Sequence, residues 1–141
     1  MVNNIKFSID DIRLINYFER TTKASVKDCI VDDKKEKITF IVKEGDAGIA
    51  IGKGGANIKR LREKINKKIE VLEFSEDPIK FVSNVFRPIT INSSYVAEKS
   101  DGTKTLYIDV GRGNLGMKKN KIRTVRNLVK KYFKIEEVSF K

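Results

Sequence analysis

Two stretches of this 141-residue chain spell nearly the same thing. Lys68–Phe74 reads KIEVLEF and Lys134–Phe140 reads KIEEVSF, while Thr39–Val42 (TFIV) is echoed by Thr105–Ile108 (TLYI); both pairs lie 66 residues apart. Between them Ile51–Gly52 aligns with Leu115–Gly116, and Ile58 with Ile122, at a spacing of 64. The second copy is therefore two residues shorter before that point and two longer after it. A repeat in which sequence and element order stay in step is one structural unit written twice. Whatever the first half folds into, the second must fold into as well. Two units of roughly 70 residues are small but can each bury a core. The boundary falls near Ser75–Glu76, giving units 1–75 and 76–141 packed with almost no linker.

Each unit reads as α+β. Asp10–Arg20 begins with a capping carboxylate and spaces Ile12, Ile15 and Phe18 for a helix. Val26–Val31 and Lys37–Lys43 read as strands joined by a turn at Asp32-Asp33-Lys34. Asp46–Ile51 is a short helical turn, Ala56–Asn66 a helix with Ile58, Leu61 and Ile65 on one side, and Lys68–Phe74 a strand. In the second copy Asp77-Pro78 starts a helix and Arg87-Pro88 stops it. Ile89–Val96 and Thr103–Val110 then form a hairpin around Ser100-Asp101-Gly102. A Gly111–Gly116 loop leads into a helix over Lys118–Phe133, with Ile122, Val125 and Val129 inward, and Lys134–Phe140 is the last strand. The order expected of both copies is α-β-β-α-α-β.

Composition narrows the chemistry. No histidine is present, which removes Ser-His and Cys-His catalysis and the common zinc sites. One cysteine, Cys29, allows neither an intrachain disulfide nor a multi-cysteine metal site; on its strand it reads as a small buried hydrophobe. No apolar run reaches the roughly 20 residues of a membrane span, and no signal-peptide core opens the chain. Thirty basic against 19 acidic residues leave a net charge of +11. That combination points to a cytoplasmic, non-catalytic binder of a polyanion, without cofactor or metal.

The segment Ile51-Gly52-Lys53-Gly54-Gly55-Ala56-Asn57-Ile58 lies between two helices and has the pattern I-G-x-x-G-x-x-I. Glycines at its corners permit a tight turn and a close approach of a polyanion backbone. The helix N-terminus that follows adds free amides, and Lys53 adds a full positive charge. This resembles the KH domain, whose G-x-x-G loop clamps about four nucleotides of single-stranded nucleic acid. The helix-first, strand-last order resembles the type-II arrangement. Two such domains in tandem, the first carrying GIAIGKGGANIKRL, resemble the archaeal NusA-like transcription factors over nearly the whole chain. The resemblance implies single-stranded RNA as partner, with RNA polymerase or other transcription proteins as further candidates, no membrane, and a monomer. It also implies a role in transcription elongation, termination or antitermination. Ribosome assembly or RNA processing is the alternative, because the motif does not name the RNA. Bacterial relatives carry further domains before the KH pair, one of which docks on the polymerase; 141 residues leave no room for them. The binding residues it implies in the first copy are Ile51, Gly52, Lys53, Gly54, Gly55, Asn57, Ile58, Lys59 and Arg62.

The second copy departs from the pattern: it reads L-G-M-K-K-N-K-I, with Gly116 kept and Lys119 in the place of Gly55. Charge compensates for the lost glycine. Lys119, Arg123, Arg126 and Lys130 fall within an arc of roughly 60° on a helical wheel. Their first-copy counterparts, Gly55, Lys59, Arg62 and Asn66, include only two cations. From Arg112 to Lys134 there are nine basic residues and no acidic one. Sixteen basic against 12 acidic residues give the first unit +4, whereas 14 against 7 give the second +7. The first unit is expected to read a short run of bases, and the second to hold phosphates through Arg112, Gly116, Lys118, Lys119, Arg123, Arg126 and Lys130. A merely solvated face is the plain alternative for such a stripe.

Two decoys fail. Lys53 is followed by Gly54 rather than Ser or Thr, so its loop is not a P-loop. Gly111–Gly116 matches G-x-G-x-x-G, but the strand before it belongs to a hairpin and no second strand-helix-strand half follows. Phe40, Phe74 and Tyr107 could stack on bases, yet on the strands of a small domain such rings are expected in the core.

Overall fold

Asp10 and Asp11 open the first helix, α1 (Ile9–Thr22), where their charge favours the N-terminal dipole, and Arg20 sits in its last turn. Its end is fixed twice over: Thr22 Oγ1 donates to the Phe18 carbonyl, and Lys23 takes φ 68°. The buried side of α1 is Phe18 with half-buried Leu14 and Tyr17, whereas Ile12, expected inside, is 47% exposed. Strands β1 (Val26–Asp32) and β2 (Lys37–Val42) pair antiparallel, so a short turn suffices to join them. A short helix α2 (Ala47–Ile51), one 3-10 turn, and helix α3 (Ala56–Ile65) then carry the chain across one face to β3 (Lys68–Glu73). β3 lies parallel to β2, which needs such a crossover, and the sheet order is β1-β2-β3. Ile38, Phe40 and Val42 of β2 alternate onto the helical side, where Phe18 stacks on Phe40 at 4.1 Å between ring centroids. Ala50, Leu61 and Ile69 complete that core.

The computed structural model describes residues 9–111 and 115–141, and the chain divides into two units, Met1–Ser75 and Glu76–Lys141. In the second, Asp77 accepts a hydrogen bond from the Ile79 amide and Pro78 stands at the first position of α4 (Pro78–Phe86). Strands β4 (Ser93–Glu98), β5 (Lys104–Asp109) and β6 (Glu137–Phe140) form a second sheet in the order β4-β5-β6, again antiparallel then parallel. Between β5 and β6 runs one long helix, α5 (Leu115–Tyr132). Leu106 and Ile108 of β5, Val125 and Val129 of α5, and Phe81 and Phe86 of α4 are all buried.

Three expectations are corrected. The second unit does not repeat α-β-β-α-α-β: among the described residues it has a single helix where the first has α2, a turn and α3. In the first unit the turn closes with Gly55 at φ 78°, and its second-copy counterpart is Lys119, whose Cβ disfavours that conformation. The helix therefore runs through, and Gly116 lies inside α5 rather than in a loop. Next, β4 begins at Ser93 and not Ile89, because β5 ends at Asp109 and Ser93 is its ladder partner. Among the described residues, 89–92 have no strand opposite them. Last, β6 starts at Glu137 rather than Lys134. Phe40 pairs with Val71 but Leu106 with Val138, so this strand repeats at 67 residues, one more than the matching letters indicate.

Candidate nucleic-acid interface

The glycine turn of the first unit is built around a residue that must lack a side chain. At Gly52 the backbone adopts φ 80°, ψ 166°, a region that essentially only glycine occupies. A Cβ there would lie 2.9 Å from both the backbone nitrogen and Cγ of Asn57. The Gly52 amide closes α2 on the Gly48 carbonyl, and the Gly55 amide donates to the Gly52 carbonyl at 3.0 Å. Gly54 and Gly55 also have positive φ, but a Cβ on either would meet open space. The chain thus reverses between α2 and α3 with Lys53 as the only side chain longer than hydrogen in the turn, and Lys53 is exposed.

Ile51, 42% exposed, and half-buried Ile58 flank the turn, while Ala50 and Leu61 beside them anchor it in the core. Asn57 has a task that sequence could not show. Its Nδ2 donates to the Ile49 carbonyl at 2.8 Å, tying the first turn of α3 to α2, so that donor holds the loop's shape. Lys59 and Arg62 are exposed along α3 and, among the described residues, make no ion pair. The arrangement offers a cationic, side-chain-poor ridge next to exposed isoleucine, which suits a phosphodiester backbone with its bases on the apolar side.

In the second unit Lys119, Arg123, Arg126 and Lys130 are all exposed on α5, opposite buried Val125, Leu128 and Val129. None of the four makes an ion pair among the described residues. The Arg126 guanidinium lies 5.1 Å from the centroid of the Phe140 ring, which orients it without neutralising it. Arg112 lies outside the described residues, and Gly116 and Lys118 are described only as members of α5. Lys121, another of the nine basic residues between Arg112 and Lys134, is directed elsewhere: its Nζ donates to the Val85 and Arg87 carbonyls, 3.1 and 2.9 Å away, satisfying the C-terminal end of α4. Nothing in the sequence separates it from its neighbours on the stripe except its angle on the wheel.

The other chemical candidates are quiet. Cys29 is half-buried, and burial first, then Asp11 and Asp28, pushes its thiol up to about 12, so it stays protonated. No group of three or more metal-ligating side chains occurs among the described residues, nor is any of their helices long and apolar enough to cross a membrane. Phe40 is fully buried and Phe74 half-buried under Lys27; Tyr107 is half-buried and stacks on Tyr95, which is 58% exposed.

Comparison with known proteins gives a consistent picture. Residues 13–99 match the KH domain family. The chain is 34% identical over 137 residues to the probable transcription termination protein NusA of Methanocaldococcus jannaschii, covering 95% of this chain and 74% of that one. It is 45% identical over 106 residues to the protein of the same name from Methanococcus vannielii, covering 75% of this chain and 60% of that one. A shorter likeness, 32% over 63 residues and 43% of this chain but 24% of the relative, links it to the small ribosomal subunit protein uS3 of Oenococcus oeni. Among solved structures, the crystal structure of APE1850 superposes with a TM-score of 0.75 at 35% identity, covering 96% of this chain and all of that one.

Proposed function

This chain belongs to the KH-domain family and, within it, to the archaeal NusA proteins, and on that footing we propose that it is an RNA-binding transcription factor. In this reading it takes nascent single-stranded RNA beside its glycine turn and acts in termination, antitermination or elongation. The observation that carries the reading is Gly52: a position that excludes any side chain, next to exposed Lys53, is costly to build and of little use to a helix-helix connection that binds nothing. The second unit acts as a second KH domain. Its support is the identical strand order, antiparallel then parallel, and an exposed cationic helix where the first unit has α3.

The mechanism needs binding alone. Ile51, Gly52, Lys53, Gly54, Gly55 and Ile58 take a short run of bases with its backbone, with Asn57 holding the loop. Lys59 and Arg62 continue the hold on phosphate, and Lys119, Arg123, Arg126 and Lys130 grip the flanking strand, with Arg112, Gly116 and Lys118 at the start of that grip. Affinity then falls with salt at a log-log slope of about −0.7 for each phosphate neutralised.

A fluorescent single-stranded RNA pool is expected to bind about tenfold or more tightly than duplexes of the same sequences, since only unpaired bases enter such a groove. Equal affinity for both would leave the groove without a role. The likeness to a ribosomal protein favours one second reading, a KH protein of ribosome assembly or RNA processing. In a cell extract from the source organism a transcription factor sediments with RNA polymerase, and an assembly factor with ribosomal particles.

A further inference from the structure

The cationic stripe of α5 ends at an open depression in the surface. Lys130, its last member, is also part of the wall of an open cavity of about 770 Å³ at the turn from α5 into β6. Lys131 and Lys134 stand on the same wall, both exposed, with half-buried Tyr132 and buried Ile135 as its apolar part. One acidic residue lines it, Glu136, whose Oε2 already accepts the Lys104 amide at 2.8 Å. We infer that this cavity is a second RNA subsite, taking the phosphodiester backbone and a base of the strand that the stripe delivers to it. The inference rests on the RNA-binding reading above and extends it to residues which that reading leaves out.

The first unit carries the same device on a smaller scale. At the turn from α3 into β3 there is a cavity of about 330 Å³ lined by Arg62, Asn66, Lys67, Lys68 and Lys35, with Glu36 as its one acidic residue. Arg62 and Asn66 are the positions that correspond to Arg126 and Lys130, so in both units the helix row runs along the helix into a lysine-lined cavity at its C-terminal end. Lys67 there lies 3.7 Å from Asp33, and Asn66 is uncharged, which makes this the weaker of the two. Cations on one side and an aromatic and aliphatic wall on the other are what a single strand requires, phosphate to the first and base to the second. The helix rises about 1.5 Å per residue, so from Lys119 to Lys130 the stripe covers roughly 16 Å before the cavity. A strand of about four nucleotides fills one groove and leaves the cavity empty; a strand long enough to lie along the stripe of α5 as well enters it.

The test uses the full chain with Lys131→Gln and Lys134→Gln together, and oligoribonucleotides of about 4 and about 12 residues at two salt concentrations. The short oligonucleotide should bind the variant as it binds the wild type. For the long one the salt slope should flatten by about 1.4, which is about 60-fold in affinity at 50 mM salt. Lys43→Gln with Lys141→Gln removes the same charge at two exposed lysines that line neither cavity and should leave the long-oligonucleotide slope unchanged. Equal weakening of both oligonucleotides, or the same weakening by the control pair, means a diffuse field and overturns the subsite. Unchanged binding of the long oligonucleotide overturns it too, while leaving the RNA-binding reading standing. If the wild type binds neither oligonucleotide, the RNA-binding reading itself falls and the subsite with it.

Discussion

With Lys119, Arg123, Arg126 and Lys130 all changed to Gln, the salt dependence of RNA affinity is expected to flatten by about 2.8 in log-log slope. Four phosphates at about 0.7 each give that figure, and it corresponds to roughly 4,000-fold in affinity at 50 mM salt and about 100-fold at 200 mM. The four side chains are exposed, share one arc of α5, and make no ion pair among the described residues, so their charge is available to a ligand. Gln keeps good helix propensity, so α5 should persist. The stacking of Arg126 on Phe140 is lost, at about 0.5–1 kcal/mol for an exposed site. The measurement is a fluorescence titration at several salt concentrations, with circular dichroism to confirm the helix. Sequence preference should survive, because the proposed reading assigns it mainly to the glycine turn of the first unit. A slope that does not move would mean that the stripe is a solvated face with no phosphate on it.

The second large effect is on stability and separates two glycines that look alike in the sequence. Gly52→Ala places a methyl 2.9 Å from the Asn57 backbone nitrogen, in a φ/ψ region that costs on the order of 1–3 kcal/mol for other residues. The clash is with backbone that α3 cannot move without losing its first turn, so the total should reach about 3 kcal/mol or more. At about 4–8 °C per kcal/mol for a domain of this size, the melting transition of the first unit falls by roughly 12 °C at least. Gly55→Ala has left-handed strain alone, about 1–2 kcal/mol, because its Cβ meets nothing within 4 Å. Thermal unfolding of the two variants side by side is the check. Equal shifts would mean that the contact with Asn57 is not what holds the turn.

Much of the fold and of the glycine turn is legible in the amino-acid sequence. Asp77-Pro78 starts α4 because cap chemistry is local, and the glycine turn stands out because only three glycines in four residues allow such a reversal. What the letters hide are choices made by partners. Whether β4 starts at Ile89 or Ser93 depends on where β5 ends, and β6 takes its register from Thr105 rather than from its own repeat. The continuity of α5 through Gly116 is implied by Lys119, since a lost left-handed glycine removes the reason to break a helix. The role of Asn57 is beyond the reach of sequence, and Lys121 is set apart there only by its angle on the wheel. One looks like a ligand contact and the other like one more surface cation, until their acceptors, the carbonyls of Ile49, Val85 and Arg87, are placed beside them.

In the proposed reading the glycine turn of the first unit holds single-stranded RNA. Lys53→Asp with Gly54→Asp tests it most directly, because a Cβ at Gly54 meets nothing within 4 Å and Lys53 is exposed, so both carboxylates point at the ligand and spare the core. Binding of a fluorescent single-stranded RNA pool should fall by more than about tenfold, since like charge is set against phosphate where one cation had been, while the left-handed strain of a side chain at Gly54 (φ 63°) lowers the melting temperature by about 4–16 °C, no more than Gly55→Ala does. A folded variant that binds the pool as tightly as the wild type would contradict the account and leave the glycine turn as scaffold.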